Sequence, residues 1–443
     1  MPRSITAILA ASLAVLVLCL APGFLLAAEY HVNPNHPQAD DTGPGSENAP
    51  WRTIQQALEN LQPGETALIH EGVYHEAIFS VRDGAPSAFI TLRAPPGEHP
   101  VIDGQGVDAN NGIIISHAYL RLIGLAVRNF NENGIWMEGA HHVELQDLEV
   151  YEVAYGIGVS CGSHDFSLVR CLMHHFDLYG FDASPGDGKS CSNGLLVDCL
   201  AHTCRDPGQN VDGFALGHGG QRGFTLLNCA AYGVFDGFDI SAAETTLAGC
   251  RAWDCGNSGF KVWQDQVVLL NCTARDCSSA CLELDWDEAP GTVTVANCTF
   301  HHAGSFLVWV ENGSDTLVMR NCLLSGGLNI GLAFEQQNIG RYQGDHNIIH
   351  MASPGLRAVS VGYEQEFSAG NGPGAWPAFS GQDRHSLFLA GQMELYSGSP
   401  PDLRPAPGSP AVDTGDCAAA PKEDIQGRLR PQGPGCDIGA YEL

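Results

Sequence analysis

Apolar and polar positions alternate along the middle of the chain, and one short pattern returns there three times. Its copies are Asp212-Gly213-Phe214-Ala215, Asp236-Gly237-Phe238-Asp239 and Ser258-Gly259-Phe260-Lys261, whose glycines are 24 and 22 residues apart. Alternation with a period of two is typical of a strand that buries one face. A repeat of this length is typical of a solenoid in which each unit stacks on the one before. The three copies are therefore predicted to lie directly above one another.

The same alternation assigns side chains to faces. If the Phe of each copy points into the core, the residue after it points outward, so Ala215, Asp239 and Lys261 should form one outward column. Asp212 and Asp236 reach that side where the following Gly bends the strand. Neighbouring turns of a solenoid lie about 4.8 Å apart, and carboxylates held that close repel each other unless one is protonated or a cation lies among them. These three aspartates are therefore predicted as calcium ligands.

Two longer columns extend the repeat in both directions. One is a glycine column that is predicted to contain Gly134, Gly156, Gly180, Gly213, Gly237 and Gly259, with looser matches at Cys281, Ser305 and Gly331. The other is predicted to contain Asp147, Cys171, Cys199, Cys229, Cys250, Cys272, Cys298 and Cys322, at spacings of 21 to 30 residues. Variable loops between strands in register favour an all-β parallel β-helix over a propeller, whose blades need about 40 residues or more.

The N-terminal region predicts an export signal. Residues 1–28 combine Arg3 with a long apolar run that ends in small residues, which is the pattern of a secretory signal peptide. An uncleaved membrane anchor is the alternative, because the run is long enough to span a bilayer. The expected location is secreted, extracellular or on the cell surface, with no membrane span once the signal is cleaved.

A capping helix is predicted after the signal. Apolar residues recur there at helical spacing before Pro63-Gly64, at Ile54, Ala57, Leu58 and Leu61. Such a helix would cover the open end of a solenoid, whose exposed β edge would otherwise invite aggregation. The predicted division is a β-helix over residues 29–385, including this N-terminal cap, and a C-terminal module over residues 386–443.

Composition narrows the classes of partner. The formal net charge of −29 and the pI near 4.8 argue against nucleic acid, because such an acidic surface releases no counterions from phosphates. An acidic polysaccharide remains a suitable partner where metal ions or a local group of basic side chains mediate the contact. The protein is expected to act as a monomer.

Seven cysteines belong to the column above, and three more (Cys204, Cys255 and Cys277) suggest a parallel ladder. Stacked thiols in a narrow core are favoured over zinc, because no pair has the CxxC spacing of a structural zinc site. Cys417 and Cys436 flank a loop-rich tail of an exported chain, so they are predicted to form a disulfide. Cys161 with Cys191 is a second candidate pair.

One coil is longer than the others, with 33 residues between Gly180 and Gly213. Its extra residues should project as loops beside the acidic turns, and such loops commonly form the binding wall of a solenoid. The basic residues expected near this wall are Lys189, Arg205, His218, Arg222 and Arg251. All but Lys189 are predicted as substrate contacts, together with Glu283, which continues the column of Asp239 and Lys261.

Four segments together resemble the central coils of polysaccharide lyase family 9, the pectate lyases with a right-handed parallel β-helix. They are Asn210-Val211-Asp212-Gly213-Phe214-Ala215, Phe235-Asp236-Gly237-Phe238-Asp239, Cys250-Arg251-Ala252-Trp253 and Gly256-Asn257-Ser258-Gly259-Phe260-Lys261. The resemblance implies a right-handed β-helix in which Asp212, Asp236 and Asp239 hold calcium and Lys261 removes a proton. Phe235 departs from the family, which has a further aspartate at that position.

A second resemblance concerns the tail. Gly408-Ser409-Pro410-Ala411-Val412-Asp413, Asp424-Ile425-Gln426-Gly427-Arg428 and Cys436-Asp437-Ile438-Gly439-Ala440-Tyr441-Glu442 are similar to the C-terminal module of many secreted bacterial β-helix proteins, of the choice-of-anchor Q type. This resemblance implies export to the surface and carries no implication for chemistry.

The activity implied by the first resemblance is β-elimination on a pectate-like uronic-acid polymer, with calcium bound to the substrate carboxylate and Lys261 as general base. A non-catalytic β-helix for carbohydrate binding or surface attachment is the main alternative, since Asp-Gly is also ordinary turn chemistry at a coil corner. A hydrolase is a third class, because Glu283, Asp285 and Asp287 alternate on the next coil and paired carboxylates hydrolyse glycosides.

Overall fold

A computed structural model describes residues 28–217, 219–285, 291–311, 316–335, 338–362, 364–369, 375–391 and 403–443. The predicted signal peptide therefore lies outside the described residues, except for its last position. Within the described ranges, no helix is both long enough and apolar enough to cross a membrane.

Short strands make up most of the regular secondary structure of the described residues. In chain order they are β1 Glu29–Val32, β2 Thr66–Ile69, β3 Val73–Tyr74, β4 Ile78–Phe79, β5 Ile90–Arg93, β6 Val101–Asp103, β7 Ile113–Ile115, β8 Leu120–Ile123, β9 Ala126–Glu138, β10 Glu144–Gln146, β11 Glu149–Ser160, β12 His164–Val169, β13 Leu172–Ala183, β14 Ser192–Val197, β15 Leu200–His202, β16 Asp212–Leu216, β17 Thr225–Leu227, β18 Ala230–Tyr232, β19 Phe238–Ile240, β20 Thr246–Ala248, β21 Arg251–Trp253, β22 Phe260–Val262, β23 Val267–Leu270, β24 Thr273–Cys277, β25 Ala280–Leu284, β26 Thr292–Ala296, β27 Thr299–Ala303, β28 Phe306–Val310, β29 Thr316–Arg320, β30 Leu323–Gly327, β31 Ile330–Phe334, β32 Tyr342–Asp345, β33 Ile348–Met351, β34 Arg357–Val361, β35 Gln365–Ser368 and β36 Leu387–Ala390. The helices are α1 Ile54–Asn60 and α2 Ala375–Ser380, with a 3-10 turn at Asn338–Arg341.

All of these strands except β35, which pairs antiparallel with β34, form three parallel sheets that wind around one core. The first sheet contains β1, β2, β5, β8, β10, β12, β14, β17, β20, β23, β26, β29 and β32. The second contains β3, β6, β9, β11, β13, β15, β18, β21, β24, β27, β30, β33 and β36, and the third contains β4, β7, β9, β11, β13, β16, β19, β22, β25, β28, β31 and β34. The long strands β9, β11 and β13 pass from the second sheet into the third. The fold is an all-β, right-handed parallel β-helix, as predicted, and each of its turns is called a rung below.

The predicted inward side chains stack as expected. Phe214, Phe238 and Phe260 are fully buried, and neighbouring rings are parallel with centroids 5.0 and 4.9 Å apart. The glycines that precede them form a column because no side chain fits there. A Cβ on Gly237 would lie 2.5 Å from the carbonyl oxygen of Gly259 on the next rung and 2.9 Å from the Cβ of Ala252. Larger residues at this position would therefore push successive rungs apart.

The cysteine column is confirmed as buried, free thiols, with one correction. The prediction that Asp147 heads this column is wrong, because Leu148 stands opposite Cys171 in the register of β11 and β13. Asp147 instead has φ of 52° at the bend before β11, and its carboxylate accepts a 2.6 Å hydrogen bond from Arg170. An aspartate in the thiol-lined core would lack such a partner, so the left-handed bend turns it outward.

The capping helix is confirmed as α1. The side chain of Thr53 caps its N-terminus, and both carboxylate oxygens of Glu76 accept hydrogen bonds from the first two helical N–H groups. Ile54, Ala57 and Leu58 face the core. The helix therefore closes the apolar interior at this end of the solenoid.

Residues 403–443 lie along the outside of the helix, at the bend between the first and second sheets. Buried asparagines at successive bends donate to the backbone of this segment: Asn271 to Glu423, Asn297 to Asp437 and Gly439, and Asn321 to Asp416. Arg430 forms a fully buried ion pair with Glu442, at 3.2 Å.

The predicted disulfide joins Cys417 and Cys436. The other candidate pair is wrong, because Cys161 and Cys191 are both free thiols.

Candidate functional site

The outward face of the third sheet carries one continuous column of side chains. The strand registers align Ala215 with Asp239, Asp239 with Lys261 and Lys261 with Glu283. The predicted column of Ala215, Asp239 and Lys261 is therefore confirmed, and Glu283 continues it as expected. Asp182 precedes this group on the neighbouring rung.

Asp212 and Asp236 lie at the corner that precedes this column, and both are fully buried. Asp236 Oδ1 accepts hydrogen bonds from the Ser258 backbone N–H at 2.7 Å and from Asn257 Nδ2 at 2.9 Å. Its other oxygen, Oδ2, and Asp212 Oδ1 are buried with no hydrogen-bond donor in the described part of the chain. Buried oxygens without donors are costly, so these two indicate a place for a missing positive partner.

The raised pKa values of Asp212 and Asp236 also indicate a place for a positive partner at this corner. Burial raises the pKa of Asp212 to about 9, and the neighbouring charges of Asp236 and Asp239 add to the effect. Burial also raises the pKa of Asp236 to about 7, against the lowering effect of the Ser258 backbone hydrogen bond. At neutral pH at least one of these carboxyl groups keeps a proton unless a cation neutralises the group. Carboxylate oxygens are the ligands that calcium prefers, so the donor set fits that ion.

Lys261 is held on the adjacent rung. Its Nζ lies 3.4 Å from Glu283 Oε1 and 4.4 Å from the ring centroid of Trp263. The other oxygen of Glu283 accepts a 2.6 Å hydrogen bond from the hydroxyl of Ser258. Burial acts to lower the pKa of Lys261, but the charges of Glu283, Asp236 and Asp239 outweigh it and the pKa is raised. Lys261 is therefore an ammonium group in this arrangement.

A second acidic group follows along the column. Among the described residues, the ligand atoms of Glu283, Asp285 and Glu311 all lie within 4.8 Å of one another, which is closer than those of Asp212, Asp236 and Asp239. Burial, followed by the charges of Asp285 and Glu335, raises the pKa of Glu311 to about 7. A cation at the three aspartates would therefore have to draw their carboxylates closer together.

The basic residues predicted as substrate contacts do not gather at this column. Arg251 lies in β21, so it faces outward from the second sheet and not the third. Arg205 is paired with Asp177 at 2.9 Å, and Arg222 is exposed at the bend that enters the first sheet. Lys189 is exposed as well. His218 lies outside the described residues.

Sequence reasoning missed the earlier part of the column. The position two residues after each column glycine always faces outward from the third sheet, and this rule also finds Trp136, Gly158 and Asp182. Asp182 is buried, and burial raises its pKa to about 6. Counting two residues from Gly134, Gly156 and Gly180 would have identified all three from the sequence.

The stacked rungs and the charged outward column define a right-handed β-helix of the pectate-lyase-like class. The chain belongs to the Pel9A-like right-handed β-helix family, whose model matches residues 30–258. A general model of the right-handed β-helix region also matches residues 209–338.

Individual relatives agree with this family. "Pectate lyase PEL9" of Emericella nidulans is 26% identical over 222 residues, which cover 49% of this chain and 50% of that protein. "Pectate lyase L" of Paenibacillus polymyxa is 24% identical over 277 residues, covering 56% and 58%. The chain thus spans little more than half the length of the curated relatives it matches.

Solved structures support the fold. The crystal structure of pectate lyase Pel9A superposes with a TM-score of 0.56 and 16% identity, covering 94% of this chain and 96% of that one. The structure of XylC with xylose superposes with a TM-score of 0.51 and 11% identity, covering 94% and 98%. At these identities the superpositions establish the β-helix and no activity.

Proposed function

We propose that this protein is an exported, calcium-dependent polysaccharide lyase that cleaves a pectate-like uronic-acid polymer by β-elimination. The observation that carries the proposal is the pair of buried carboxylates, Asp212 and Asp236, each with an oxygen that lacks a donor, beside Lys261 on the next rung. Membership of the Pel9A-like family and the names of the two pectate lyase relatives support the substrate class.

Asp212, Asp236 and Asp239 would hold the calcium. When bound, calcium would neutralise the substrate carboxylate and acidify the proton on the adjacent ring carbon. Phe235 leaves this set one carboxylate short of the family pattern, and water or carbonyl oxygens can fill the remaining positions of a calcium site. The affinity for calcium is therefore expected to be lower than with a fourth aspartate.

Lys261 would take the proton from the ring carbon. The electrons of that C–H bond form the carbon–carbon double bond, the glycosidic C–O bond breaks, and the leaving oxygen takes a proton from water. Only a neutral amine can act as the base, and the charges of Glu283, Asp236 and Asp239 raise the pKa of Lys261. Neutralising the aspartates offsets part of that effect, so activity should require calcium and an alkaline medium.

A non-catalytic carbohydrate-binding β-helix is the second candidate, and one observation favours it. The ion pair of Lys261 with Glu283, at 3.4 Å, gives the lysine a structural partner. Together with Phe235, it is the arrangement expected of a site that has lost its chemistry. In both candidates the partner is an acidic polysaccharide, and the protein acts as a secreted or surface-attached monomer.

Ultraviolet absorbance of the unsaturated product tests the lyase directly. The parent protein is incubated with polygalacturonate and other uronic-acid polymers, with calcium and with chelator. We expect a calcium-dependent rise, and a loss of about 10²–10⁴-fold in rate for Lys261→Ala, the usual contribution of a general base. Lys189→Ala is the matched control, since this lysine is exposed, and it should retain the parent rate.

The product separates the classes. New reducing ends without ultraviolet absorbance would identify a hydrolase. Absence of both signals from folded protein, with retention on a polyuronate affinity gel, would identify the binding protein. A calcium-dependent rise that persists in Lys261→Ala would assign the base to another residue.

A further inference from the structure

A group of two histidines and one aspartate lies at the bend between the first and second sheets. Asp345 ends β32, His346 follows it at the bend, and His385 lies two residues before β36. Their ligand atoms all lie within 4.8 Å of one another. Among the described residues, one other group of possible metal ligands is as compact, and it is the purely acidic group on the third sheet. The group at this bend is therefore distinguished by its imidazoles.

Strand pairing places the two histidines opposite each other. β33 pairs with β36 so that Ile348 is aligned with Leu387, and counting back two residues aligns His346 with His385. The Leu387 backbone N–H donates to the carbonyl oxygen of Asn347, which extends this pairing toward the histidines. The two rings are stacked, with centroids 4.8 Å apart and planes 22° from parallel. Two imidazoles from different coils are thus held side by side.

The carboxylate of Asp345 is directed at both rings. Its Oδ2 lies 2.8 Å from Nδ1 of His385 and 3.7 Å from Nδ1 of His346. Its Oδ1 accepts a 2.8 Å hydrogen bond from the backbone N–H of His385, which fixes the orientation of the carboxylate. A neutral imidazole protonated at Nε2 has a lone pair on Nδ1. Two nitrogen ligands and one oxygen ligand therefore converge at this bend.

The spacing of these atoms suits a small tetrahedral ion. Zinc binds histidine nitrogen and carboxylate oxygen at about 2.0–2.2 Å, so two of its ligand atoms lie roughly 3.4 Å apart. The separations of 2.8 and 3.7 Å lie on either side of that value. Changes of about 0.3–0.6 Å in these two separations would give the zinc geometry, and side-chain rotation can supply them.

The ligand types select the class of metal. Imidazole is a ligand of zinc, copper, nickel and iron, whereas calcium takes oxygen ligands. Two histidines and one carboxylate leave a fourth position for water. The side chain of His385 is 65% exposed, and those of Asp345 and His346 are 25% and 26% exposed. A hydrated ion can therefore reach the three ligands from solvent without opening the fold.

The arginine aligned with this group is engaged elsewhere. Arg320 stands opposite Asp345 in the register of β29 and β32, but its Nη1 donates to the carbonyl oxygens of Gln343 and Met319. Within the described residues, the ion pairs of Asp345 are with histidines alone. The negative charge of Asp345 is therefore available to a cation.

The turn that carries His385 is firmly anchored. Asp383 is buried, and its two carboxylate oxygens accept hydrogen bonds from the hydroxyl of Ser386 at 2.6 Å and from Trp376 Nε1 at 2.9 Å. Ligands on such a fixed support need little ordering when a metal binds. An ion at this bend would join the turn before β36 to the end of β32.

We propose that Asp345, His346 and His385 form a structural site for a divalent ion of the zinc class, which fastens the coil of β36 to that of β32. The candidate calcium ligands lie on the third sheet, whereas this group lies at the bend between the other two. The proposal therefore does not depend on the lyase activity.

Isothermal titration calorimetry with zinc chloride tests the site. The protein is first freed of metal with chelator, and calcium is then kept in large excess so that zinc competes poorly for the acidic groups of the third sheet. We expect one zinc ion per chain. His385→Ala and Asp345→Asn should lower the affinity by at least about 100-fold, since losing even a hydrogen-bond partner of a ligand costs about 10–100-fold.

Two further variants separate ligation from folding. His346→Asn should also lower the affinity by at least about 100-fold, and asparagine tolerates the φ of 54° at this position. His385→Cys supplies a different zinc ligand at the same place and should bind zinc within about tenfold of the parent. Circular dichroism checks that each variant is folded.

His302→Ala is the matched control. Nδ1 of His302 lies 2.8 Å from Asp276, the same distance as in the His385–Asp345 pair, but the guanidinium of Arg275 also contacts Asp276. This pair should therefore hold no ion, and the variant should bind zinc as the parent does. Zinc should raise the Tm of the parent and of His302→Ala, and leave that of His385→Ala unchanged.

The proposal is overturned if the metal-free parent binds no zinc in the presence of calcium, or if His385→Ala binds zinc as the parent does. Zinc binding that is lost in Asp212→Asn and kept in His385→Ala would place the ion at the third sheet and overturn it as well. Calorimetry and Tm need no substrate, so failure of the lyase proposal would leave both results unaffected.

Discussion

Two rows of buried polar side chains run along this β-helix. The side chains of one row are hydrogen-bonded, and those of the other row lack some of their partners. At the bend between the first and second sheets, Asn297 and Asn321 are fully buried, and residues 403–443 satisfy their amide groups. At the corner that enters the third sheet, Asp212 and Asp236 are equally buried, but each retains an oxygen without a donor. The first row stabilises the fold, and the second row costs stability.

In a repetitive fold, a buried polar row that lacks hydrogen-bond partners marks a candidate functional site. A solenoid can satisfy a polar row at every rung, as the asparagine row shows, so an unsatisfied row is not imposed by the architecture. Proteins keep such costly groups where a ligand completes them. Substitutions in the two rows are therefore expected to change the free energy of unfolding in opposite directions.

The largest expected loss of stability is at the buried ion pair of the C-terminal segment. Arg430→Ala would leave the buried Glu442 carboxylate unpaired and remove the 2.7 Å hydrogen bond to Asn271. Loss of one partner of a buried pair typically costs about 3–5 kcal/mol. Denaturant unfolding measures the loss, with Arg205→Ala as control, because the exposed Arg205–Asp177 pair should contribute under about 1 kcal/mol. Equal effects of the two variants would contradict the assignment.

The asparagine row itself should give the next largest effect. Asn297→Ala removes hydrogen bonds to Asp437 and Gly439 and places alanine at φ of 51°, for a total of about 3 kcal/mol. Asn297→Gly tolerates that backbone conformation and should cost about 2 kcal/mol, the hydrogen bonds alone. Thermal unfolding of the two variants separates the contributions. A neutral Asn297→Ala would mean that the row is not structural.

In the row of Asp212 and Asp236, removing a carboxylate should raise the free energy of unfolding instead of lowering it. Because the pKa of Asp212 is raised to about 9, the folded state holds its proton more tightly than the unfolded state, whose pKa is about 3.9. Stability in chelator should therefore fall as the pH rises between these values. Asp212→Asn should flatten this dependence and raise stability by about 2 kcal/mol in alkaline chelator.

Adding calcium to the same stability measurement tests whether these carboxylates bind the ion. It should restore the stability of the parent protein at alkaline pH, because it binds the folded state, and should have little effect on Asp212→Asn. Magnesium, which demands a tighter octahedral site, is the control ion. A parent protein whose stability rises from pH 5 to 9 in chelator would contradict a buried, unpaired Asp212.

The smallest effect is on Lys261, and the chain is suited to measuring it because it contains only three lysines, Lys189, Lys261 and Lys422. Reductive ¹³C-methylation gives one NMR signal for each, and their pH titrations give the pKa values. Glu283→Gln should lower the pKa of Lys261 by about one unit, or 1.4 kcal/mol, and calcium should act in the same direction. The signals of Lys189 and Lys422 should not move, and a common shift of all three would indicate a general effect.

Much of the fold followed from the sequence because each rung repeats the same constraints. The glycine column, the inward phenylalanines and the alignment of Asp239 with Lys261 all depend on period and alternation, which are visible in the letters. The position of Asp147 did not follow, because it occupies the left-handed bend that precedes the column, as Arg170 does before Cys171, and variable loop lengths hide this difference of one residue.

The non-repeating parts could not be predicted in the same way. Arg430 meets Asn271 across 159 residues, and no local pattern links them. The basic residues were expected near the site because the long coil should project loops there, but Arg251 lies in β21 and faces outward from the second sheet. Loop geometry decides such contacts, and it varies from rung to rung.

The docked C-terminal segment has a consequence for how the chain matures. The rungs that contain Asn271, Asn297 and Asn321 are synthesised before residues 403–443, which later provide their partners. Until that segment arrives, those asparagines must rely on water at an open seam. The last coils therefore reach their final stability only when translation has passed residue 442. A chain that stops before this segment would be less stable in these coils. A prematurely terminated chain would present an unsealed seam to quality-control proteases.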